Sequence, residues 1–465
     1  LCLPSVPRRL DYQALEDYLI FGYPLVPKTL FCDIRELEPG CWIALSPRGM
    51  EEGRFWRWRR EERPCDEPTA VAATKDTLLE ALRGHLIADV PIGVLLSGGI
   101  DSSLLVSLLK KELNADLEAF TVRFGEADYD ESPYARIVAD HLGVRHHELL
   151  LPSGTASFDQ IHGIMDQFDQ PFADSSAIPT YLISQELRKH VRVVIGGDGG
   201  DEMFGGYPRF YYADVSERLG RLPPLVVGMR LGARALAAVA PNTMRKFARL
   251  LAAAGADGNF RLMNLSCYVY PQTVGEALAP RVRKEIAGYV PQFALPGQSA
   301  CDGRSLIDAT VQYALPGDYL RKVDIASSAH GLEVRVPFLA NQVLDFASRL
   351  PHRLKYTGIR SAKKLLRDLL ARYVPPSILN HPKTGFGIPI DRYLSLRQRK
   401  VVFEMLTGPG SRIAEILNME HFTPVLRGFV DHRWDRSRFS RYMVYQHAYL
   451  LWSLERWLRK WNPST

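Results

Sequence analysis

The stretch Gly93-Val-Leu-Leu-Ser-Gly-Gly-Ile-Asp-Ser-Ser103 contains the features that decide the fold. An apolar run typical of a buried strand breaks into two glycines and continues into leucine-rich sequence typical of a helix. Gly98 and Gly99 carry no side chain, so the backbone there can approach an anion closely and adopt φ > 0. The amides that open the following helix point at the same spot. The stretch therefore predicts a phosphate-binding loop between a strand and a helix.

The polar side chains of this loop indicate which phosphate compound it binds. Ser97, Ser102 and Ser103 supply hydroxyl donors. Asp101 does not favour a bare phosphate, but its carboxylate can hold a Mg²⁺ ion that bridges phosphate oxygens. The expected ligand is therefore Mg-ATP. The structural alternative is a glycine-rich turn with an ordinary Asp or Ser helix cap.

Bulk composition narrows the class of protein. With 465 residues, 46% of them hydrophobic and 24% charged, the chain can form two or three domains. No apolar run reaches the roughly 20 residues of a membrane span, and no secretory signal opens the chain, so we expect a cytoplasmic protein without a membrane role. The net charge of +6 does not call for nucleic acid, and the six scattered cysteines indicate neither a zinc site nor disulfides. The oligomeric state stays open, with a homodimer as one option.

Alternating strand and helix patterns indicate the fold class. We predict strands over 92–96, 117–124, 146–151 and 191–195, and helices over 71–85, 102–113, 133–142, 157–168 and 177–190. This alternation is typical of an α/β fold with a doubly wound parallel sheet. Ligands bind at the carboxyl ends of such strands, so Ser97, Phe124 and Gly196 should converge. After about Tyr212 we expect no strands and a mainly helical lobe, with helices over 219–251, 306–315, 343–350, 362–373 and 442–461.

The first 60 residues have a different pattern. We predict a helix over 14–21 and strands over 28–34, 41–45 and 54–58, followed by a charged linker over 61–68. The aromatic residues Trp42, Phe55, Trp56 and Trp58 need a partner surface. The chain thus divides into a small segment 1–60, an α/β core 61–212 and a helical part 213–465.

A second loop combines glycines with carboxylates, in the stretch Ile195-Gly-Gly-Asp-Gly-Gly-Asp-Glu-Met-Phe-Gly-Gly-Tyr207. Asp201 could share a metal ion with Asp101, and Asp198 could contact a nucleophile. The alternative is a Ca²⁺-binding or purely structural acidic turn, although the alternating ligands of an EF-hand loop are absent.

Several basic residues are candidates for contacts with phosphate. Lys383 lies between a proline and glycines in His381-Pro-Lys-Thr-Gly-Phe-Gly-Ile-Pro389, where its ammonium group could offset charge that develops on a reacting phosphoryl group. The predicted helices carry two further groups, which either face solvent or hold released pyrophosphate: Lys363, Lys364 and Arg367, and Arg321 and Lys322. Asp174 and Ser175 either cap a helix or bind a carboxylate or amine of the substrate.

These elements, in this order, resemble the synthetase portion of the asparagine synthetase B family, the glutamine-hydrolysing type, within the pyrophosphatase-loop ATP superfamily. The resemblance extends from about Leu10 to Trp461. Besides the loops at 97–103 and 197–202, it includes Pro171-Phe-Ala-Asp-Ser-Ser176, Asp318-Tyr-Leu-Arg-Lys-Val-Asp-Ile-Ala326, Gly331-Leu-Glu-Val-Arg-Val-Pro-Phe338 and Pro382-Lys-Thr-Gly-Phe386.

The resemblance implies roles for individual residues. It places the nucleotide beside Leu96, Val122, Gly196 and Gly197, and the pyrophosphate part of ATP within the loop of Ser97, Gly98, Gly99 and Ser102. It also implies Mg²⁺ at Asp101 and Asp201, stabilisation of the pentacovalent phosphorus by Lys383, and a pyrophosphate contact by Lys363. In one branch of the family a Glu, which assists adenylation and deprotonates ammonia, stands where this chain has Asp198. The shorter side chain leaves the acceptor open, because the reach of a general base is sensitive to such a change.

The implied reaction is ATP-dependent amide formation: the β-carboxylate of aspartate is adenylated, and ammonia displaces AMP to give asparagine. Family enzymes obtain the ammonia from glutamine through an amino-terminal glutaminase domain, of which residues 1–60 resemble only the end, and Cys2 is a poor substitute for its catalytic cysteine. This chain should therefore use free ammonium, or ammonia from a separate glutaminase. The alternatives are a related amidotransferase or cyclase acting on a lactam, peptide or sugar precursor, and a tRNA-modifying ATP pyrophosphatase, whose paired cysteines are missing here.

Overall fold

The computed structural model describes residues 5–124, 130–151, 156–222, 250–295, 300–380, 393–434 and 440–464. In these ranges the strands are β1 (Cys41–Ser46), β2 (Gly49–Arg54), β3 (Ile92–Leu95), β4 (Glu118–Phe124), β5 (Arg145–Leu151), β6 (Val193–Ile195) and β7 (Glu333–Arg335). The last five form one sheet in the order β5-β4-β3-β6-β7, and each neighbouring pair is parallel. The predicted α/β fold with a parallel sheet is confirmed.

Helices fill the connections and most of the carboxyl-terminal half. Up to residue 220 they are α1 (Tyr12–Phe21), α2 (Glu67–His85), α3 (Ile100–Lys111), α4 (Ser132–Leu142), α5 (Phe158–Gln167), α6 (Ala177–Leu187), α7 (Gly200–Phe204) and α8 (Pro208–Gly220). Beyond residue 250 the α-helices are Gly258–Asn264, Val274–Ala277, Pro280–Glu285, Gly303–Ala309, Leu320–Ser328, Asn341–Arg349, His352–Lys355, Lys364–Leu370, Pro376–Leu379, Leu396–Thr407, Met419–Asp431 and Arg441–Trp461, and Thr310–Tyr319 is a π-helix. Within the described ranges, none of the helices combines the length and the apolar character that crossing a bilayer requires. Most of the predicted helix over 219–251 lies outside the described residues.

The order of the strands creates a binding crevice between β3 and β6. The chain runs outward from β3 through β4 to β5, and then returns to the other side of β3 as β6. Ligands of open α/β sheets bind at such a switch point, beyond the carboxyl ends of the strands. Val94 pairs with Ile195 at this end of the two strands. The loops that follow, 96–99 and 196–199, therefore start from adjacent positions, as the sequence predicts.

One strand was not foreseen. β7 pairs in parallel with β6, and the Gly196 amide donates to the Arg335 carbonyl at 2.8 Å. The prediction of no strand after Tyr212 is therefore wrong. A three-residue strand gives too short a pattern to recognise, and its conformation depends on the edge of β6, which is remote in sequence.

The amino-terminal segment differs in detail from the prediction. Residues 28–34 form only isolated bridges, and the second strand of the hairpin is β2 rather than 54–58. Ser46 pairs with Gly49 across a two-residue turn, so β2 must begin immediately after that turn. Of the four aromatic residues, Trp58 is buried and donates to Asp308 at 2.7 Å, and Trp56 is partly buried, while Trp42 and Phe55 stay exposed.

The same segment contributes to the main hydrophobic core. Helix α1 buries nine of its ten residues, and its Tyr18 hydroxyl donates to the Leu450 carbonyl at 2.7 Å. One continuous apolar cluster extends from Leu10 through the sheet to Leu458. The division into the segments 1–60, 61–212 and 213–465 stays a prediction.

Candidate active site

The loop after β3 contains a glycine, Gly98, that no other residue could replace without rearrangement. Gly98 has φ +79°, and a Cβ atom there would lie 2.6 Å from the Cβ of Tyr134. The Ser97 hydroxyl accepts the Gly99 amide at 3.2 Å and lies 3.1 Å from the hydroxyl of Ser102. Gly99 is the N-cap of α3 and offers no side chain to the first amides of that helix. The amides at the start of a helix lack partners within the helix, so this end of α3 can bind an anion.

The loop after β6 packs directly against the first loop. Gly199 has φ +93°, and a Cβ there would lie 2.5 Å from the side chain of Leu339. A Cβ on Gly197 would lie 3.2 Å from the Cβ of Asp101, and one on Gly200 only 2.6 Å from the carboxylate carbon of the same residue. The glycines of the second loop thus make room for the carboxylate of the first.

A buried lysine joins the two loops. The Nζ atom of Lys363 forms an ion pair with Asp101 and a second one, at 2.9 Å, with Asp201. Lys363 is 7% exposed and has φ +56°, an unfavourable conformation for a non-glycine residue. Burial alone would lower the pKa of Lys363, but the two carboxylates outweigh it and the pKa is raised. Strained residues of this kind concentrate at functional sites.

The two carboxylates fit a magnesium ion. Carboxylate oxygens suit Mg²⁺, which is usually bound by one or two carboxylates together with phosphate oxygens of the substrate. Asp101 and Asp201 reach the same Nζ atom, so both approach one point beside the phosphate-binding loop. In the described part of the chain, no group of three or more His, Cys, Asp and Glu side chains could hold a metal alone.

A second, largely enclosed cation is Lys322, whose side chain is 14% exposed. The Nζ atom of Lys322 donates to Asp174 at 2.7 Å and to the Ser176 hydroxyl at 2.8 Å. Burial tends to raise the pKa of Asp174, but Lys322 and Ser176 lower it below its ordinary value. Lys322 does not lie on a solvated helix face, which was one of the two expectations for it. Asp174 does more than cap a helix.

Two further carboxyl groups share this region. Burial raises the pKa of Asp318 well above its ordinary value, and the neighbouring Asp174 carboxylate adds to the effect. Burial also raises the pKa of Asp198, against the opposing charge of Lys322. Asp198 is close enough to Asp201 for that carboxylate to raise its pKa further. Asp198 therefore interacts electrostatically with a residue of each centre.

Arg209 and its aromatic neighbours complete the second centre. The guanidinium group lies 4.7 Å from the ring centre of Tyr207 and donates to the Tyr319 hydroxyl at 2.9 Å. The Tyr207 hydroxyl donates to Glu202 at 2.6 Å. Arg209, Asp318 and Tyr319 are not among the site residues predicted from the sequence. The only signal for two of them was the stretch beginning at Asp318 that resembles the family.

Five further residues predicted from the sequence have three different locations. Leu96 is buried and Val122 partly buried at neighbouring strand ends, which the Thr121 hydroxyl links by donating to the Leu96 carbonyl. Lys364 pairs with Glu67 and Asp368 at the surface, away from the crevice. Lys383 and Cys2 lie outside the described residues.

A parallel sheet with a glycine-rich anion loop and paired carboxylates at its switch point defines a nucleotide-binding α/β protein. Comparison with known families specifies the class further, because residues 73–459 match the model of the asparagine synthase family. The chain belongs to that family. It is therefore an ATP-dependent, amide-forming ligase.

Individual relatives agree with this assignment. The chain is 28% identical over 446 residues to asparagine synthetase [glutamine-hydrolyzing] 1 of Bacillus subtilis, covering 95% of this chain and 68% of the relative. It is 30% identical over 469 residues to a putative asparagine synthetase [glutamine-hydrolyzing] of Mycobacterium tuberculosis, with coverage of 95% and 67%. It is also 27% identical over 435 residues to amidase chry2 of Gibberella zeae, with coverage of 82% and 62%.

Proposed function

We propose that the chain converts aspartate to asparagine. An oxygen of the β-carboxylate bonds to the α-phosphorus of ATP, and the bond from that phosphorus to the bridging oxygen breaks to release pyrophosphate. The nitrogen of ammonia then bonds to the acyl carbon, the bond from that carbon to AMP breaks, and nitrogen loses a proton to a base. The observation that carries the proposal is the Lys363 bridge between Asp101 and Asp201 at the switch point, beside the buried Lys322 centre.

The first centre would bind the triphosphate. Ser97, Ser102 and the amides of α3 would surround the pyrophosphate part. Asp101 and Asp201 would hold Mg²⁺, which when bound would polarise phosphoryl oxygens and offset their charge. Lys363 would then pass from the carboxylates to the departing pyrophosphate. Lys383 would stabilise the charge on the pentacovalent phosphorus.

The second centre would bind aspartate. Lys322 is a buried cation that can attract a substrate carboxylate, while Asp174 and Asp318 can accept hydrogen bonds from an ammonium group. Positioning the β-carboxylate in line with the α-phosphorus would supply much of the rate enhancement. The ammonia would come from free ammonium, or from a glutaminase domain that acts together with this chain.

Product analysis tests the proposal. ATP, aspartate and ammonium together should give AMP and pyrophosphate, because the bond to the α-phosphorus is the one that breaks. Asp101→Ala should reduce pyrophosphate release by about two to three orders of magnitude, since a metal ligand is lost. Asp116→Ala is the control, because this carboxylate is exposed and pairs only with Arg145 among the contacts described. Formation of ADP and orthophosphate, or equal activity of the two variants, would contradict the proposal.

Asp198 is the proposed base for the ammonia step, since its raised pKa makes it a better proton acceptor than an ordinary carboxylate. Asp198→Asn should lower asparagine formation about a hundredfold, the typical contribution of a general base. Aspartate-dependent exchange of pyrophosphate into ATP, which needs no ammonia, should change much less. Asp198→Glu restores the residue of the other family branch and should keep both activities. Equal loss of exchange and amide formation in Asp198→Asn would place the contribution of Asp198 in the adenylation step and contradict its role as the base for ammonia.

A second candidate function changes only the carboxylate substrate. Two matched relatives are the amidases chry2 and chyE, and Asp198 departs from the Glu of one family branch. AMP production measured across a panel of carboxylates distinguishes the two functions. If another carboxylate exceeds aspartate in kcat/KM, the chain belongs to that second class.

A further inference from the structure

The segment that follows α1 contacts the loop that carries Asp174. Gly22 ends the helix with φ +87°, and its carbonyl accepts the amide of Ala173 at 3.0 Å. A Cβ on Gly22 would lie 3.0 Å from the Cβ of Ala173 and 2.7 Å from the ring of Tyr268. The backbone at Gly22 therefore packs tightly against the residue that precedes Asp174.

The next residue, Tyr23, contacts a different part of the same centre. Tyr23 is 4% exposed, and a Cβ on Gly317 would lie 2.5 Å from its Cδ2 atom and 2.6 Å from its Cε2 atom. Gly317 immediately precedes Asp318 in the chain. Burial raises the pKa of Tyr23 well above its ordinary value, and the Asp318 carboxylate adds to this effect.

The backbone at Gly317 depends on such contacts for its conformation. It belongs to the π-helix Thr310–Tyr319, which ends with the Leu320 amide donating to the Leu315 carbonyl. Pro316 lies inside this helix and has no amide hydrogen to donate. π-helical turns are rare and are frequently found at functional sites. A π-helical turn is wider than an α-helical turn, and Pro316 leaves it without one hydrogen-bond donor. Side chains packed against this turn must therefore fix the positions of Asp318 and Tyr319.

We propose that Tyr23 is a positioning residue for the aspartate-binding centre, acting through Gly317 on Asp318 and Tyr319. This inference deepens the proposed function and rests on it. Tyr23 lies outside the matched family domain, which begins at residue 73. The amino-terminal segment would therefore be part of the synthetase site even though the family model does not contain it.

Two substitutions test the contact from its two sides. Gly317→Ala adds a methyl group against the ring, and Tyr23→Leu removes the ring; each should raise the KM for aspartate about tenfold, because small displacements at a reacting group are costly. The KM for ATP should change less than about twofold, since the nucleotide centre is untouched. In the double variant the smaller leucine makes room for the methyl group. The combined effect should therefore be clearly smaller than the product of the single effects.

Tyr18→Leu is the matched control, because Tyr18 is an equally buried tyrosine of the same segment whose hydroxyl bonds to the Leu450 carbonyl. It should lower the melting temperature but leave the ratio of the two KM values unchanged. If Tyr23→Leu raises both KM values equally, or if the single effects multiply in the double variant, the inference is wrong.

Crystal structures of the variants distinguish a wrong positioning role for Tyr23 from a wrong proposed function, because they show the position of Asp318 whether or not the chain is active. Absence of pyrophosphate release by the unaltered chain would contradict the function. In the Tyr23→Leu and Gly317→Ala structures the Asp318 carboxylate should move by about 1 Å or more, a displacement large enough to impair catalysis. Asp101 and Lys363 should stay in place. An unmoved Asp318 would overturn the positioning role whatever the activity.

Discussion

Replacing Lys363 by methionine should reduce pyrophosphate release by about two to three orders of magnitude, the typical cost of losing one charge-stabilising donor. It should also lower the free energy of unfolding by about 3 kcal/mol, because two largely buried carboxylates lose their cation. Methionine keeps the length and apolar stem of lysine, so the charge is the main change. Pyrophosphate release and chemical denaturation measure the two effects.

Lys364→Met provides the control, since it removes the same kind of side chain one residue further along. Lys364 pairs with Glu67 and Asp368 at the surface, where an ion pair contributes less than about 1 kcal/mol. The activity of Lys364→Met should remain within about twofold of that of the unaltered chain, because Lys364 lies away from the crevice. If the two lysine variants behave alike, the bridge between the loops has no role in the reaction.

Replacing Lys322 by methionine should raise the KM for aspartate by about a hundredfold or more, because truncating one partner of a buried charge pair costs about 2–5 kcal/mol. Nucleotide binding should change little, since Lys322 contacts Asp174 and Ser176 rather than the phosphate-binding loop. Saturation with aspartate at fixed ATP measures the first effect, and calorimetric titration with ATP measures the second.

The adjacent Arg321→Met serves as its control. Arg321 forms an ion pair with the partly exposed Glu36, away from Asp174. Arg321→Met should change the KM for aspartate by less than about threefold relative to the unaltered chain, the range expected for loss of a partly exposed ion pair. A rise in the KM for ATP in Lys322→Met, equal to that for aspartate, would show that Lys322 supports the fold in general rather than the aspartate centre.

The geometry of the two glycine loops could be predicted from the sequence for a physical reason. Gly98 and Gly199 adopt positive φ and leave no room for a side chain. Such constraints act on the residue itself and its immediate neighbours, so they are visible in a short stretch of sequence. The convergence of the two loops then follows from the strand order of a parallel sheet.

The centre proposed to bind aspartate is harder to predict, because it depends on contacts between residues that are far apart in the chain. Lys322 meets Asp174, 148 residues earlier, and nothing in its own helix distinguishes it from the neighbouring Arg321. Arg209 is likewise placed by Tyr319, 110 residues further along the chain. Only tertiary structure brings these charges together, and a local pattern of basic residues is equally consistent with a solvated face.

The burial of α1 has a practical consequence for work on shortened versions of this protein. A fragment beginning at α2, residue 67, would lack helix α1, which buries nine of its ten residues. The apolar residues that pack against α1 would then be exposed to water, and exposed apolar patches promote aggregation. A fragment whose boundaries follow the matched domain alone would therefore aggregate readily. Its inactivity would not bear on the activity of the longer chain.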